Sequence, residues 1–300
     1  MEWKTKVKQM SKVYFSKDLS PETLIKLYDA VGVKLTGNIA IKVHSGEKGN
    51  QNFLHPDYFK PVADYVNSNT VVECNTAYDG ERNYSDKHLK LFDEHEWSKY
   101  FNVDLLDKDG YVEIPVENGN ILTKNLVGKN LKNYDSLLVL SHFKGHPMGG
   151  FGGALKQLSI GCASTEGKCY IHSATKTIDQ NNIWSNVAAQ SDFCECMADA
   201  AKSVVDLFDG KAVYISAAVN LSVDCDCCAI AEDPCMADIG IFASSDPVAL
   251  DAACVDAVYA SNDPGKDHFI KRIEERLGNH TIDAAAKIGV GSKEYELIEI

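Results

Sequence analysis

Short β-rich apolar runs alternate with amphipathic runs along the whole chain, and that rhythm limits the folds open to it. "KVYFS" reads as a first strand, followed by a helix over "SPETLIKLYDAV" with Ser20 as N-cap and Pro21 at the first helical position. "NIAIKVHSG", "TVVECNTAY" and "DSLLVLSHF" read as buried strands. Between them lie helices over "PDYFKPVADYVN", where Pro61 demands a kink or a late start, and "SDKHLKLFDEHEWSKY". The second half repeats the pattern. Helices are expected over "FCECMADAAKSVVDLF", "SDPVALDAACVDAVYAS" (capped by Asp246 or Ser245) and "DHFIKRIEERLGN", which ends at a Gly-Asn stop. Strands are expected at "KAVYISAAV", "DIGIFAS" and the closing "EYELIEI". Such alternation predicts an α/β fold of mixed or mostly parallel sheets covered by helices, with sites at the carboxyl ends of strands.

The 300 residues form no evident repeat or low-complexity linker. The chain therefore reads as a single unit over 1–300, with its least regular stretch, 104–132, the place for a division into two lobes. A hydrophobic content of 45% supplies a full core. The net charge of −13 argues against nucleic acid or an anionic membrane as partner, since both need concentrated positive charge. "MEWKTKVKQM" lacks the apolar core of a secretory leader, and no stretch approaches the ~18 apolar residues of a membrane span. A cytoplasmic protein is the expectation. In that compartment ten cysteines are free thiols, metal ligands or redox groups rather than a disulfide framework. A homodimer is the commonest symmetric assembly for such a chain.

Chemistry concentrates in two places. In "SHFKGHPMGGFGGALKQLSIGC" an apolar strand delivers His142, Lys144 and His146 into a loop with Gly149, Gly150, Gly152 and Gly153, and a short helix carries Lys156. Backbone N–H groups in a glycine turn before a helix approach an anion closely. The spacing fits neither a Walker A loop nor G-x-G-x-x-G, and a flexible turn with a solvated lysine explains the glycines equally well. Two histidines at one strand end favour ligands or proton carriers. His44 ends "IKVHSG", with Lys42 on the same side by strand periodicity.

The second place is "NLSVDCDCC", with Cys235 seven residues on. On a continued strand Cys225 and Cys227 would face one side and Asp224, Asp226 and Cys228 the other, so joint chelation needs a bend. The spacing is neither a zinc knuckle nor a ferredoxin run, and zinc, an iron–sulfur centre, nickel or copper(I) would suit the thiolates. A buried-thiol core strand is the bland alternative. Cys194 and Cys196 fall on nearly opposite faces of a helix, and Cys254 reads as core. If the cluster holds metal it must borrow ligands, His142 and His146 first among them.

"IKVHSGEKGN", "ECNTAYDGER", "LSHFKGHPMGGFGGALKQLSIGCAS", Gly167-Lys168 with His172, "SVDCDC" and "DIGIFASSDPVALDAACVD" together resemble the family called domain of unknown function 362, over nearly the whole chain. Its longer members carry an inserted ferredoxin-like segment. This chain has "SATKTIDQNNIWSNVAAQSDFCEC" there, so an iron–sulfur assignment transfers poorly. The stretch from His146 through "GGFGGALK" to His172 is distantly similar to the nickel-pincer lactate racemases. That likeness implies Lys156 as tether of a nucleotide-derived cofactor, His172 as a metal ligand and His146 as an acid–base group.

The expected function is a metal- or cofactor-dependent enzyme, of redox or isomerase type, acting on a small anionic molecule. His142, His146 and Lys156 are the candidate catalytic groups. Gly149, Gly150, Gly152, Gly153, Lys156 and His44 would hold a phosphate-containing cofactor, and Cys225, Asp226, Cys227 and His172 a metal. The competing reading is a non-catalytic thiolate metal carrier or sensor.

Overall fold

The computed structural model describes residues 10–300; the first nine residues of the stretch tested above for a leader lie outside it. Eight strands form one sheet in the spatial order β12 (Tyr295–Glu299), β1 (Ser11–Ser16), β11 (Gly240–Ser244), β10 (Ala212–Ala218), β7 (Ser136–His142), β2 (Ile39–Lys42), β3 (Thr70–Glu73) and β4 (Asn102–Leu105). Only β11 runs against the rest, so the sheet is mostly parallel. Every residue of β7 and β10 is buried. Their alternate side chains feed two cores. Leu137 and Val139 with Ala212 and Tyr214 enter one; Leu138 and Leu140 with Val213 and Ile215 enter the other.

On the second face lie α1 (Pro21–Val31), α2 (Pro56–Tyr65), α3 (Ser85–Glu94) and α4 (Trp97–Tyr100). The first face is covered by α5 (Ala154–Leu158), α7 (Gln190–Phe208), α8 (Pro247–Ala260), α9 (Lys266–Glu275) and α10 (Gly278–Lys287). α6 (Thr165–His172) packs on α7 and on a hairpin of β5 (Tyr111–Pro115) and β6 (Lys124–Gly128). That hairpin lies within the stretch that sequence reading found irregular. A smaller hairpin joins β8 (Lys144–His146) to β9 (Gly150–Gly152). No helix among the described residues is long and apolar enough to cross a membrane.

Three expectations change. The helix expected over 85–100 breaks, because Glu96 takes a left-handed conformation (φ 62°) between α3 and α4. Pro61 neither delays nor divides α2, which starts at Pro56 and runs through it. The Gly-Asn stop is instead a start: Leu277 (φ 51°) ends the α9 turn and Gly278 opens α10. Asp246 is the α8 cap, accepting the N–H groups of Val248 and Ala249. The neighbouring strands β10, β7, β2 and β3 all point the same way, so four chain segments leave the sheet at one edge. These segments begin at Val219, Phe143, Val43 and Cys74.

Candidate metal centre and cationic cavity

The cysteine segment is a loop, not a continued strand. Asn220 turns the chain with φ 46°, and a tight turn closes with the Cys228 N–H donating to the Cys225 carbonyl at 2.9 Å. The loop leaving β2 templates it from outside. The Glu47 N–H donates to the Asp226 carbonyl (2.7 Å), and the Asn50 side-chain amide donates to the carbonyls of Cys228 (2.9 Å) and Cys225 (3.3 Å). Tyr78 adds a hydroxyl hydrogen bond to the Cys227 carbonyl at 3.2 Å. The bend that joint use of Cys225 and Cys227 requires is thus built and stapled by backbone groups.

From the other side, β8 presents His146. One ligand atom each from His146, Cys225 and Cys227 lies within 4.8 Å of the others. Cys225 is fully buried, and its sulfur receives the Cys227 N–H at 3.4 Å and the Lys156 ammonium at 3.5 Å. Burial works against ionising the Cys225 thiol. A hydrogen bond from the Cys227 thiol and the positive charges of Lys156 and Lys144 outweigh it, and the pKa falls well below the usual thiol range. Cys227 moves the opposite way, because its hydrogen bond to Cys225 keeps its own proton in place. Burial pulls the Lys156 pKa down, and the thiolate beside it more than offsets this, leaving it raised. Both shifts run in the direction of a thiolate–ammonium pair between buried Cys225 and half-buried Lys156.

Hydrogen bonding fixes which histidine nitrogen carries a proton. His146 Nδ1 accepts the N–H groups of Met148 (3.1 Å) and Gly149 (2.8 Å), so in the neutral ring the proton sits on Nε2, which is 3.8 Å from the Cys227 sulfur. His44 is held alike, its Nδ1 accepting the Gly46 N–H at 3.1 Å. His172 has the opposite tautomer: Nδ1–H donates to the Lys168 carbonyl at 2.7 Å, leaving the Nε2 lone pair free. Burial lowers all three pKa values to about 4, with nearby Arg82 adding to this at His44 and Lys156 at His146, so the rings are neutral at pH 7.

His44, His146, Lys156, His172 and Cys227 line one cavity of about 270 Å³. Lys42, Arg82 and Lys168 line it too, against a single carboxylate, Glu73. Glu73 is held by Arg82 at 3.0 Å and by the Ser45 N–H at 3.0 Å. Burial would raise the Glu73 pKa, yet the His88 hydrogen bond and the Arg82 charge hold it well below the carboxylate range. The cavity wall therefore carries a surplus of positive charge within a chain of net charge −13.

Other expected site residues point elsewhere. Both ring nitrogens of His142 are engaged, Nδ1 with Asp226 (2.9 Å) and Nε2 with the Val219 carbonyl (2.7 Å), so neither can ligate metal or carry a substrate proton. The Asp226 carboxylate is shared between His142 and the Lys144 ammonium (2.9 Å). It braces the cysteine loop from behind and stands outside the His–Cys–Cys group. None of Gly149, Gly150, Gly152 and Gly153 lines the cavity. The amides that follow them, of Ala154 and Leu155, already have an acceptor: the Asp251 carboxyl group, at 2.7 and 2.9 Å. Gly150 (φ 80°) and Gly153 serve close packing, since a Cβ would fall 2.8 Å from Gly278 and 2.4 Å from Asp251 respectively.

The family model described as domain of unknown function (DUF362) matches residues 39–256. The chain belongs to this family. The matched span contains every residue of the site described above. No curated protein matches the sequence. Among solved structures, one that is similar is the lactate racemase apoprotein from Thermoanaerobacterium thermosaccharolyticum, at 12% identity and a TM-score of 0.41, covering 69% of this chain and 50% of that one. Another is a protein from Thermotoga maritima, at 10% identity and a TM-score of 0.43, covering 89% and 58%. The chain spans between half and three-fifths of the length of these structures.

Proposed function

We propose that this DUF362 protein is a metal-dependent enzyme of isomerase type that moves a proton on a small anionic substrate. One observation carries the reading: a dithiol with a histidine at ligand distance meets, through Cys227 and His146, a cavity whose wall is cationic. Cys225 and Cys227 would hold the ion, with His146 close enough to join them. Two sulfurs and an imidazole suit a mononuclear zinc or nickel ion better than an iron–sulfur cluster, which takes four thiolates in the common case. His146 now points an Nε2–H at the sulfurs, so ligation through Nε2 has to displace that proton and relax the turn to Gly149. A bound ion would act as a Lewis acid on a substrate oxygen.

The residues supply the rest. Lys156 attracts the anion and shields the Cys225 thiolate. His172, with a free Nε2 lone pair, is the base that takes a proton from the substrate. The Lys156 ammonium, on the same cavity, is the acid that returns one. A neutral imidazole and an ammonium on one cavity supply the base and the acid that such a proton movement requires. A thiolate carrier or sensor has no use for this arrangement beyond Cys225 and Cys227.

The test is proton exchange. Zinc- or nickel-loaded protein is incubated in D₂O with small 2-hydroxy acids, and incorporation of deuterium next to the carboxylate is followed by mass spectrometry. Exchange that falls at least ~10-fold in both His146→Gln and His172→Gln supports the reading. Exchange absent with every acid, beside tight metal binding that a chelator reverses, favours the carrier instead.

A further inference from the structure

The floor of the cavity holds two lysines that, among the described residues, have no ion-pair partner; burial lowers the Lys42 pKa, and the Glu73 charge only partly opposes this. Lys42, at the end of β2, is fully buried, and Lys168, on α6, is 7% exposed. The Lys42 ammonium donates to the Val43 carbonyl and to Gln157 Oε1 (2.9 Å). The Lys168 ammonium donates to the Ala163 carbonyl at 2.6 Å. Among the described residues no carboxylate pairs with either one. The other cations of this region are matched: Arg82 with Glu73 and Glu47, Lys144 with Asp226, and Lys156 with the Cys225 sulfur. A buried ammonium without a counter-ion is expensive, so an unmatched pair on a cavity wall calls for an anion from outside.

The local geometry is made for this. Gly161 leaves room for Lys42, since a Cβ there would stand 2.7 Å from the lysine Cε. An ammonium has three donors. Lys42 uses two and Lys168 one, which leaves three N–H groups without an acceptor among the described residues. Lys42, Gln157 and Lys168 come from β2, α5 and α6 and meet only at this cavity. Lys156 is a separate positive group, at the thiolates.

We propose that Lys42, Lys168 and Gln157 form a second oxyanion seat, so that the substrate is a small dianion with one end on this floor and the other beside Lys156 and the thiolates. The floor oxyanion is a carboxylate or a phosphate, the common feature being two or more acceptor oxygens. The cavity of about 270 Å³ lies just below the ~300–1,000 Å³ of drug-sized sites, which suits a compact metabolite. The inference rests on reading the cavity as a substrate site, but it does not need the metal.

Titration calorimetry of the full chain with succinate, 3-phosphonopropionate and propionate tests it. Succinate or 3-phosphonopropionate is expected to bind at least ~10-fold more tightly than propionate, and which of the two is tighter identifies the floor oxyanion. Lys42→Met with Lys168→Met is expected to remove that preference while leaving zinc content unchanged. The same variant should melt at a higher temperature than wild type in anion-free buffer, because unmatched buried charge is gone; lysines with a purely structural role would give the reverse. Gln157→Glu, which supplies an internal carboxylate, should abolish dianion binding in a protein that still folds. Equal affinity for propionate and the dianions, or unchanged dianion affinity in Gln157→Glu, overturns the seat. Loss of metal binding with the dianion preference intact would sink the metal-enzyme reading and leave this one standing.

Discussion

Gly145→Ala strikes the joint between the two halves of the proposed metal centre. Gly145 lies in β8 one residue before His146, and its N–H donates to the Ser222 carbonyl at 2.8 Å, two residues before Asp224 and the cysteines. A Cβ at this position would stand 2.2 Å from the Val223 carbonyl oxygen and 2.5 Å from its Cα. Backbone cannot rotate out of the way as a side chain can, so β8 and the cysteine loop must part by roughly 1 Å to approach the ~3.5 Å of ordinary contact. Overpacking costs about 1–3 kcal/mol and the lost hydrogen bond about 1, giving about 2–4 kcal/mol of lost stability. The three donor atoms now lie within 4.8 Å of one another. Ligand bonds of ~2.0–2.3 Å leave little room for a wider spread, so zinc affinity should fall at least ~10-fold. Urea unfolding and zinc competition with a chromophoric chelator measure the two effects. A variant less than ~0.5 kcal/mol weaker, with unchanged zinc affinity, would show that this contact does not hold the centre together.

Three further predictions follow from the same geometry. Metal-free protein at pH 7 should show thiolate absorbance near 240 nm, and Lys156→Met should lower it, because the ammonium 3.5 Å from Cys225 is then gone while the Cys227 hydrogen bond remains; equal absorbance in the two proteins refutes the ion pair. His44, His146 and His172 titrate at about 4 in the native state and at ~6.5 unfolded, so their contribution is present above ~6.5 and is lost as pH falls towards 4. Burial raises Asp251 to about 7, and its opposite contribution is lost as pH rises through that value. Between these limits the three histidines less Asp251 give the unfolded chain a net of about two more protons, and His88 and His95, whose pKa values burial also lowers, add to this, so urea unfolding should give stability rising by at least about 2.7 kcal/mol per pH unit near pH 5; a flat profile contradicts the assignment. Asp251→Ala strips the buried amides of Ala154 and Leu155 of their acceptor and should cost about 2–4 kcal/mol while displacing Lys156 on α5; a loss under ~0.5 kcal/mol in urea unfolding would show that the amides find another acceptor.

Much of the fold could be read from local pattern. Strands such as Ser136–His142 and helices such as Pro247–Ala260 announce themselves by apolar runs, caps and a proline at the first turn. Strand order, the reversal of β11 and the β5–β6 hairpin could not be read, because they depend on pairing between distant segments. The site divides in the same way. Cys225 and Cys227 stood out by residue type, and His146 by its place at a strand exit. That the amides after the glycine run meet Asp251, about a hundred residues later in the chain, was not legible. Nor was the engagement of both His142 nitrogens by Asp226 and Val219. Lys42, Arg82 and Lys168 carried no signal strong enough to mark them as cavity groups. A lysine at a strand end or on a helix reads as solvated until burial is known, although Lys42 and Lys168 did fall inside family motifs.

Metal stoichiometry tests the central claim most directly. The full chain is purified without chelator, reconstituted with zinc or nickel, desalted and measured by elemental mass spectrometry, beside a Cys225→Ser, Cys227→Ser double variant. The account predicts a single thiophilic ion per chain in the wild type and its loss in a double variant that still folds. A wild-type protein that stays metal-free after reconstitution, or a double variant that keeps the ion, would contradict it.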